Sequence, residues 1–221
     1  MNKFFQTLGL AQFFEMYPGM AIVPSRGPGL LLQGQFSFVA GQSVIDAIQE
    51  TYKLQIFVPK GFPRELPAVT EIGGRIPRDG NYHVNPDPDN TLCLGSPLRL
   101  LREIAVNPTL LGFTERCLVP YLYAVSCKLK DGRAFAFGEL SHGYEGIVEE
   151  EGPYFGVHDR RMLYAVFRML CIKKRIANKH ECPCGCGKRL GRCNLRFKIN
   201  YCRNLVRRRV IREMCERIFP Q

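Results

Sequence analysis

Apolar and polar residues alternate along Thr51–Pro59, where Tyr52, Leu54, Ile56 and Val58 take every second position. A period of two lays one face of an extended chain against a core, so this stretch is predicted to be a strand. Leu30–Ala40 reads as a strand before it. The run Gly61-Phe62-Pro63-Arg64-Glu65-Leu66-Pro67 punctuates the pattern, and Ala68–Ile76 is predicted as a third strand. Later the period becomes helical: Met162, Val166, Met169 and Leu170 predict a connecting helix over Asp159–Ala177, ended by Asn178. A further helix is expected over Leu195–Phe219, with Ile199, Cys202, Leu205, Val206, Val210 and Met214 on one stripe. Met1–Tyr17, with Phe4, Phe5, Leu8, Phe13 and Phe14, predicts an amphipathic first helix. Strands segregated from helices in this way make an α+β protein.

Composition adds a boundary. With 221 residues, 46% of them hydrophobic, the chain can build one ordinary domain and a small appendage. The net charge of +11 is unevenly spread. Residues 1–154 hold 13 Lys and Arg against 16 Asp and Glu, net −3, whereas 155–221 hold 18 against 4, net +14. The expected organisation is therefore 1–156, a connecting helix at 157–178, and a basic module at 179–221. Arg203, Arg207, Arg208, Arg209 and Arg212 in the last helix suit nucleic-acid phosphates, an acidic protein, or a solvated basic face. No apolar stretch of ~18 residues is present to span a membrane. Gln6, Thr7, Gln12 and Glu15 interrupt the apolar opening before any cleavage site, so a reducing cytoplasm is the expected setting.

Chemistry concentrates in two loops. The first runs His83-Val84-Asn85-Pro86-Asp87-Pro88-Asp89-Asn90-Thr91-Leu92-Cys93-Leu94-Gly95, where the prolines and Asp-Asn pairs exclude regular helix or central strand. A loop of this kind can hold a thiol where reactants reach it. Strands, a proline-marked turn, a strand, His-x-Asn and a Cys-Leu ten residues after the His: this order resembles the ubiquitin-conjugating-enzyme family. His83, Asn85, Cys93 and Leu94 match its pattern position by position, and Phe62-Pro63 with Pro67 resembles its Tyr-Pro and Pro-Pro marks. Val84 stands where the family has proline, and the chain has no Trp after the cysteine or elsewhere. That degenerate pattern looks more like bacterial relatives in antiphage operons, which conjugate a ubiquitin-like protein or ligate a nucleotide cyclase to a target.

The resemblance covers roughly residues 30–128 and implies an antiparallel sheet with flanking helices, including a long helix at Asn107–Lys128. It implies an acyl-carrier transferase charged on Cys93 by an activating enzyme and discharged to an amine of an acceptor protein. Asn85 would donate to the oxyanion or brace the loop that does so, and His83 would tie the loop to backbone. The glycine-dense segment Gly138–Gly146 could close over the cysteine, with Glu139, His142 or Glu145 orienting or deprotonating the amine. A thiol hydrolase using His83 or His142 as base to Cys93 is the second enzymatic reading. A catalytically idle adaptor, or a nucleic-acid-binding module using the basic tail, is the alternative from another class.

The second loop runs from His180 to Asn194 and contains Cys182-Pro183-Cys184-Gly185-Cys186-Gly187-Lys188 and Cys193. Thiolates so close together among glycines suit tetrahedral Zn²⁺, because Gly lets the backbone fold tightly and nearby Lys and Arg favour the thiolate form. The segment is similar to the SEC-C zinc motif through Cys182, Pro183, Cys184, Gly185, Gly187, Lys188 and Cys193. Asn194 occupies the place of the fourth ligand and Cys186 replaces a serine, which leaves Cys186, His180 and Cys202 as candidates for that ligand.

Overall fold

The computed structural model describes residues 8–25, 27–41, 47–132 and 144–219. Its alternating segments pair into one antiparallel sheet of four strands in sequence order, β1 (Met20–Val23), β2 (Gly29–Ala40), β3 (Ile48–Pro59) and β4 (Ala68–Glu71). The registers Leu32↔Ile56, Gly34↔Leu54 and Phe36↔Tyr52 set the apolar residues of β2 and β3 on one face. Leu32, Phe36, Tyr52, Leu54, Ile56 and Val58 are buried there, while Gln35, Ser37, Thr51 and Lys53 face water. A one-residue slip would turn every one of them over, so the alternation excludes such a slip.

β1 escapes the period-two reading because only Met20 of its four residues is buried. The third strand is shorter than expected. It stops at Glu71, whose buried carboxylate accepts from the N–H groups of Gly73 (2.7 Å), Arg75 (3.0 Å) and Ile76 (3.4 Å) and so folds 72–76 into a turn.

Helices cover the apolar face. In α1 (Leu10–Met16) Phe13 is fully buried, and Tyr17 after it stacks on Phe36 with ring centroids 4.1 Å apart. The expected first helix is thus seen from Leu10, with residues 1–7 outside the description. After α2 (Pro97–Val106), the helix expected at Asn107–Lys128 runs as α3 (Leu110–Phe113), a wide π turn (Thr114–Leu118) and α4 (Val119–Asp131). Thr109 sets its start, its hydroxyl accepting from the Gly112 N–H at 3.0 Å. The wide turn precedes Pro120, which has no N–H to give the preceding turn. Tyr52 and Ser126 of α4 share a buried hydrogen bond of 2.7 Å between their hydroxyls.

The remaining helices are α5 (Tyr144–Phe155), α6 (Arg160–Cys171), α7 (Lys174–Ala177), α8 (Leu195–Leu205) and α9 (Arg208–Ile218). The predicted connecting helix starts where expected, with the Asp159 carboxylate capping the Met162 N–H at 2.8 Å, but Ile172 turns extended and splits it into α6 and α7. The predicted last helix is likewise two. Val206 is extended (φ −137°, ψ 145°) and buried, so the stripe from Ile199 to Met214 belongs to two helices rather than one.

The chain forms two compact units: one holds the described residues up to Leu94 and those from Glu103 to Gly132, the other Gly95–Arg102 and the described residues from 144 on. Charge and compactness divide the chain at different places, since acidic α5 belongs with the basic segment that follows it. Within that second unit Glu150 accepts from the Ser96 N–H and from Arg99 at 2.5 Å, and fully buried Glu151 accepts from the Ser96 hydroxyl and from Arg102 at 2.6 Å. The Arg102 guanidinium also lies 3.8 Å from the centre of the Tyr154 ring. Among the described residues no helix is long and apolar enough to cross a membrane.

Candidate functional site

The Cys93 loop is built on backbone hydrogen bonds. After a 3₁₀ turn at Gly80–Tyr82, His83 takes the left-handed conformation (φ 51°) and redirects the chain into a narrow two-armed bracket. Its arms meet at Val84↔Leu92, and the Asn85 N–H donates to the Thr91 carbonyl at 2.8 Å. Thr91 bridges Thr70, and the Leu92 N–H donates to the Val69 carbonyl at 2.8 Å, so the second arm lies along the edge of β4. Pro86–Asp89 turns the tip, closed by the Asp89 N–H on the Pro86 carbonyl at 3.2 Å.

Cys93 follows as the middle residue of an alternating triplet. Leu92 (6% exposed) and Leu94 (9%) are buried, and the thiol between them is exposed. Its N–H donates to the His83 carbonyl at 2.7 Å. The two leucines anchor the backbone, and the pleat turns the cysteine outward.

Asn85 gives its side-chain amide to the Thr91 hydroxyl at 2.9 Å and so ties the two arms together. His83 contributes backbone atoms to the loop: a donor to Gly80 (3.1 Å) and the acceptor for Cys93. Behind the loop, Tyr121 of α4 donates its hydroxyl to the Tyr82 carbonyl at 2.6 Å. Burial, and then the negative charge of a neighbouring Cys93 thiolate, push the Tyr121 pKa up, which keeps it a neutral donor. Thr91 and Tyr121 carry no motif, and nothing along the chain singles them out. The Leu-Cys-Leu alternation was the available signal.

His142 and Glu139, expected to orient the amine, lie outside the described residues. Glu145 stands exposed in the first turn of α5, where a loop was expected. A cleft of about 460 Å³ between Tyr17, Phe38, Val39 and Val119 is lined by none of the cysteines.

In the second loop Cys182, Cys184, Cys186 and Cys193 converge, all four sulfurs lying within 4.8 Å of one another. Cys182 Sγ is 3.2 Å from Cys184 Sγ, which is 3.7 Å from Cys193 Sγ. The Cys182 N–H donates to the Lys188 carbonyl at 2.8 Å, the Leu190 N–H to the His180 carbonyl at 2.9 Å, and Glu181 bridges Arg189. Gly185 (φ 74°) and Gly187 (φ 69°) take left-handed turns that a side chain would strain.

Backbone N–H groups point at the sulfurs in a repeating step: that of Cys184 at Cys182, that of Cys186 at Cys184, and that of Lys188 at Cys186. Burial pushes the Cys182 and Cys184 thiols up. Cys186 is pushed down to about 7, first by the Lys188 N–H and then by the Cys184 thiol. A cation among the four would favour all the thiolates together, so this group could hold a metal ion.

Of the three candidates for the fourth ligand, Cys186 joins the cluster and the other two do not. His180 lends the loop its carbonyl. Cys202 is fully buried in α8, and burial pushes its thiol up to about 11. The basic tail is also less free than its composition suggests. Arg203 donates to the Met169 carbonyl and to Asn200 Oδ1 (2.7 Å), and Arg209 pairs with Glu213 at 3.5 Å. Comparison with known proteins finds no matching family model, no matching curated protein and no matching solved structure.

Proposed function

We propose that this chain is a ubiquitin-conjugating-like cysteine transferase. It takes the C-terminal acyl group of a ubiquitin-like protein, or of a nucleotide cyclase, onto Cys93 and delivers it to an amine on an acceptor protein. The observation that carries the reading is the Leu92-Cys93-Leu94 triplet: an exposed thiol on an anchored backbone, at the end of a loop braced by Asn85. The antiparallel sheet before the loop and the helices after it agree with the family its motif resembles.

In the first step Cys93 Sγ attacks the carbonyl of the acyl group held as a thioester on the activating enzyme, and that enzyme's thiol leaves. In the second the acceptor amine attacks the new thioester, the Cys93 thiolate leaves, and the amine sheds a proton. The Asn85 amide serves chiefly as the brace between the two arms.

The four-cysteine cluster is proposed to hold Zn²⁺. Tetrahedral Zn–S bonds of about 2.3 Å place sulfurs about 3.8 Å apart, close to the spacing of these thiols. Four protein thiolates leave no open position, so the ion's contribution is to fold the loop. A cytoplasmic setting and a place in an antiphage operon are part of the same proposal and rest on the motif resemblance.

The test mixes the protein with its activating enzyme, the modifier and ATP. A higher-mass species that reductant cleaves is expected, because free thiols exchange with a thioester and leave an amide intact. Cys93→Ser should yield a reductant-resistant ester or nothing, and Cys117→Ser, at a buried helical thiol, should charge as the wild type does. Charging that persists in Cys93→Ala overturns the assignment and leaves an adaptor in its place.

A further inference from the structure

Helix α8 buries Leu195, Ile199 and Cys202 on one face. Phe197 and Tyr201 lie on the opposite side, 59% and 44% exposed. Residues four apart share a helix face with Cβ atoms about 5–6 Å apart, so the two rings form a short aromatic stripe in solvent. Neither ring contributes to the buried core.

The surroundings are basic. The Arg196 guanidinium lies 4.6 Å from the centre of the Phe197 ring and is held there by its bond to the Gly191 carbonyl. Lys198 is fixed through the Tyr154 carbonyl at 2.5 Å. Lys188, Arg189 and Arg192 stand exposed in the cysteine loop just before the helix. Residues 155–221 carry 18 Lys and Arg against 4 Asp and Glu.

We infer that the Phe197–Tyr201 stripe, with Lys188, Arg189, Arg192, Arg196 and Lys198, is a binding surface for single-stranded nucleic acid. Bases that are not sealed in a duplex stack on exposed aromatic faces, and cations beside the rings follow the phosphates. Duplex bases present no free face to such a stripe, so the aromatic pair selects the single strand. The stripe involves neither Cys93 nor its loop, so it binds whether or not Cys93 carries an acyl group. The basic function thus sits beside the two rings, at the start of α8 and in the cysteine loop before it.

The test measures fluorescence anisotropy of a labelled 12-nucleotide oligo-U and of a duplex of equal length, using the full metal-loaded chain at low salt. Phe197→Ala and Tyr201→Ala should each weaken single-strand binding about 10-fold. Arg189→Gln and Arg192→Gln should each flatten the slope of log K against log salt by roughly 0.7. Because both rings face solvent, metal content and thermal unfolding of the aromatic variants should match wild type, separating loss of the stripe from loss of fold. Three results would overturn the inference: duplex binding as tight as single-strand binding, an affinity unmoved in the Phe197→Ala/Tyr201→Ala double variant, or displacement of the oligonucleotide by equimolar polyglutamate.

Discussion

Cys93 and Cys184 occupy loops of similar make-up, both proline-marked and both closed by backbone hydrogen bonds, yet their thiols meet opposite surroundings. Cys93 lies between two buried leucines on an arm laid along β4, and its side chain faces water. Cys184 has three other thiols within 4.8 Å and a backbone N–H aimed at its sulfur. One residue type is thus set in two environments, exposed on a braced backbone and gathered among other thiols. On the proposed reading, the exposed Cys93 thiol on its braced backbone receives the incoming acyl group. In the cluster, burial holds the Cys182 and Cys184 thiols toward the protonated form while the Lys188 N–H draws Cys186 toward the thiolate, and a cation among them would replace the remaining protons.

The strongest way to break this comparison is to remove the ion. The purified protein should carry about one zinc per chain, and Cys184→Ser or chelation should lose it. Structural zinc supplies binding free energy on the order of 10 kcal/mol, so the cysteine loop should become protease-sensitive. The sheet unit should keep its own unfolding transition, since its core is apolar and aromatic. A preparation made under reducing conditions without zinc would remove the distinction between the two loops.

A smaller effect separates two roles for Asn85. If its amide is purely a brace, Thr91→Val removes the partner at 2.9 Å and should reproduce Asn85→Ala, each costing about 1 kcal/mol of stability. If the amide also meets the oxyanion, Asn85→Ala alone should slow acyl transfer to amines by about 100-fold or more while Cys93 still charges. Single-turnover discharge to lysine, set beside thermal melts of both variants, reads the difference.

A third kind of cysteine offers a test confined to alkaline pH. Cys202 has its thiol pushed up to about 11 by burial, so the folded state holds that proton more tightly than the unfolded chain does. Its stabilising contribution is complete below the unfolded value of about 8.5 and is lost as pH rises toward 11, by at most about 3 kcal/mol. Cys202→Val should flatten the fall in stability across that alkaline window and leave the zinc content unchanged. A loss of zinc in this variant would return Cys202 to the ligand set.

Much of both sites was legible along the chain because their physics is local. Cys182, Cys184, Cys186 and Cys193 lie within twelve residues, and glycines at left-handed positions let so short a segment curl around a centre. The turn chemistry of Pro86–Asp89 and the leucines beside Cys93 similarly announce an exposed thiol. The choice of Cys186 over His180 and Cys202 needed coordinates, because spacing allows all three and only the direction of each side chain decides. Element ends were also hidden. Nothing in the apolar stripe of 195–219 says that Val206 will bury itself by leaving the helix, and nothing in Ala68–Ile76 says that Glu71 will gather three N–H groups and end the strand.

The change along the chain from a two-residue to a helical period determined the α+β class, and the two-residue period determined the buried face of β2 and β3, because a one-residue slip would turn the apolar side chains to water. Short spacing determined the cysteine cluster, since residues this close cannot avoid one another once the glycines turn. Only the tertiary structure decided the partners that come from afar: Tyr121 reaching the Tyr82 carbonyl, Thr91 bridging Thr70, and Ser96, Arg99 and Arg102 held by Glu150 and Glu151. Each of these joins residues whose separation along the chain carries no period. Their meeting follows from the path of the whole backbone, which no local pattern encodes.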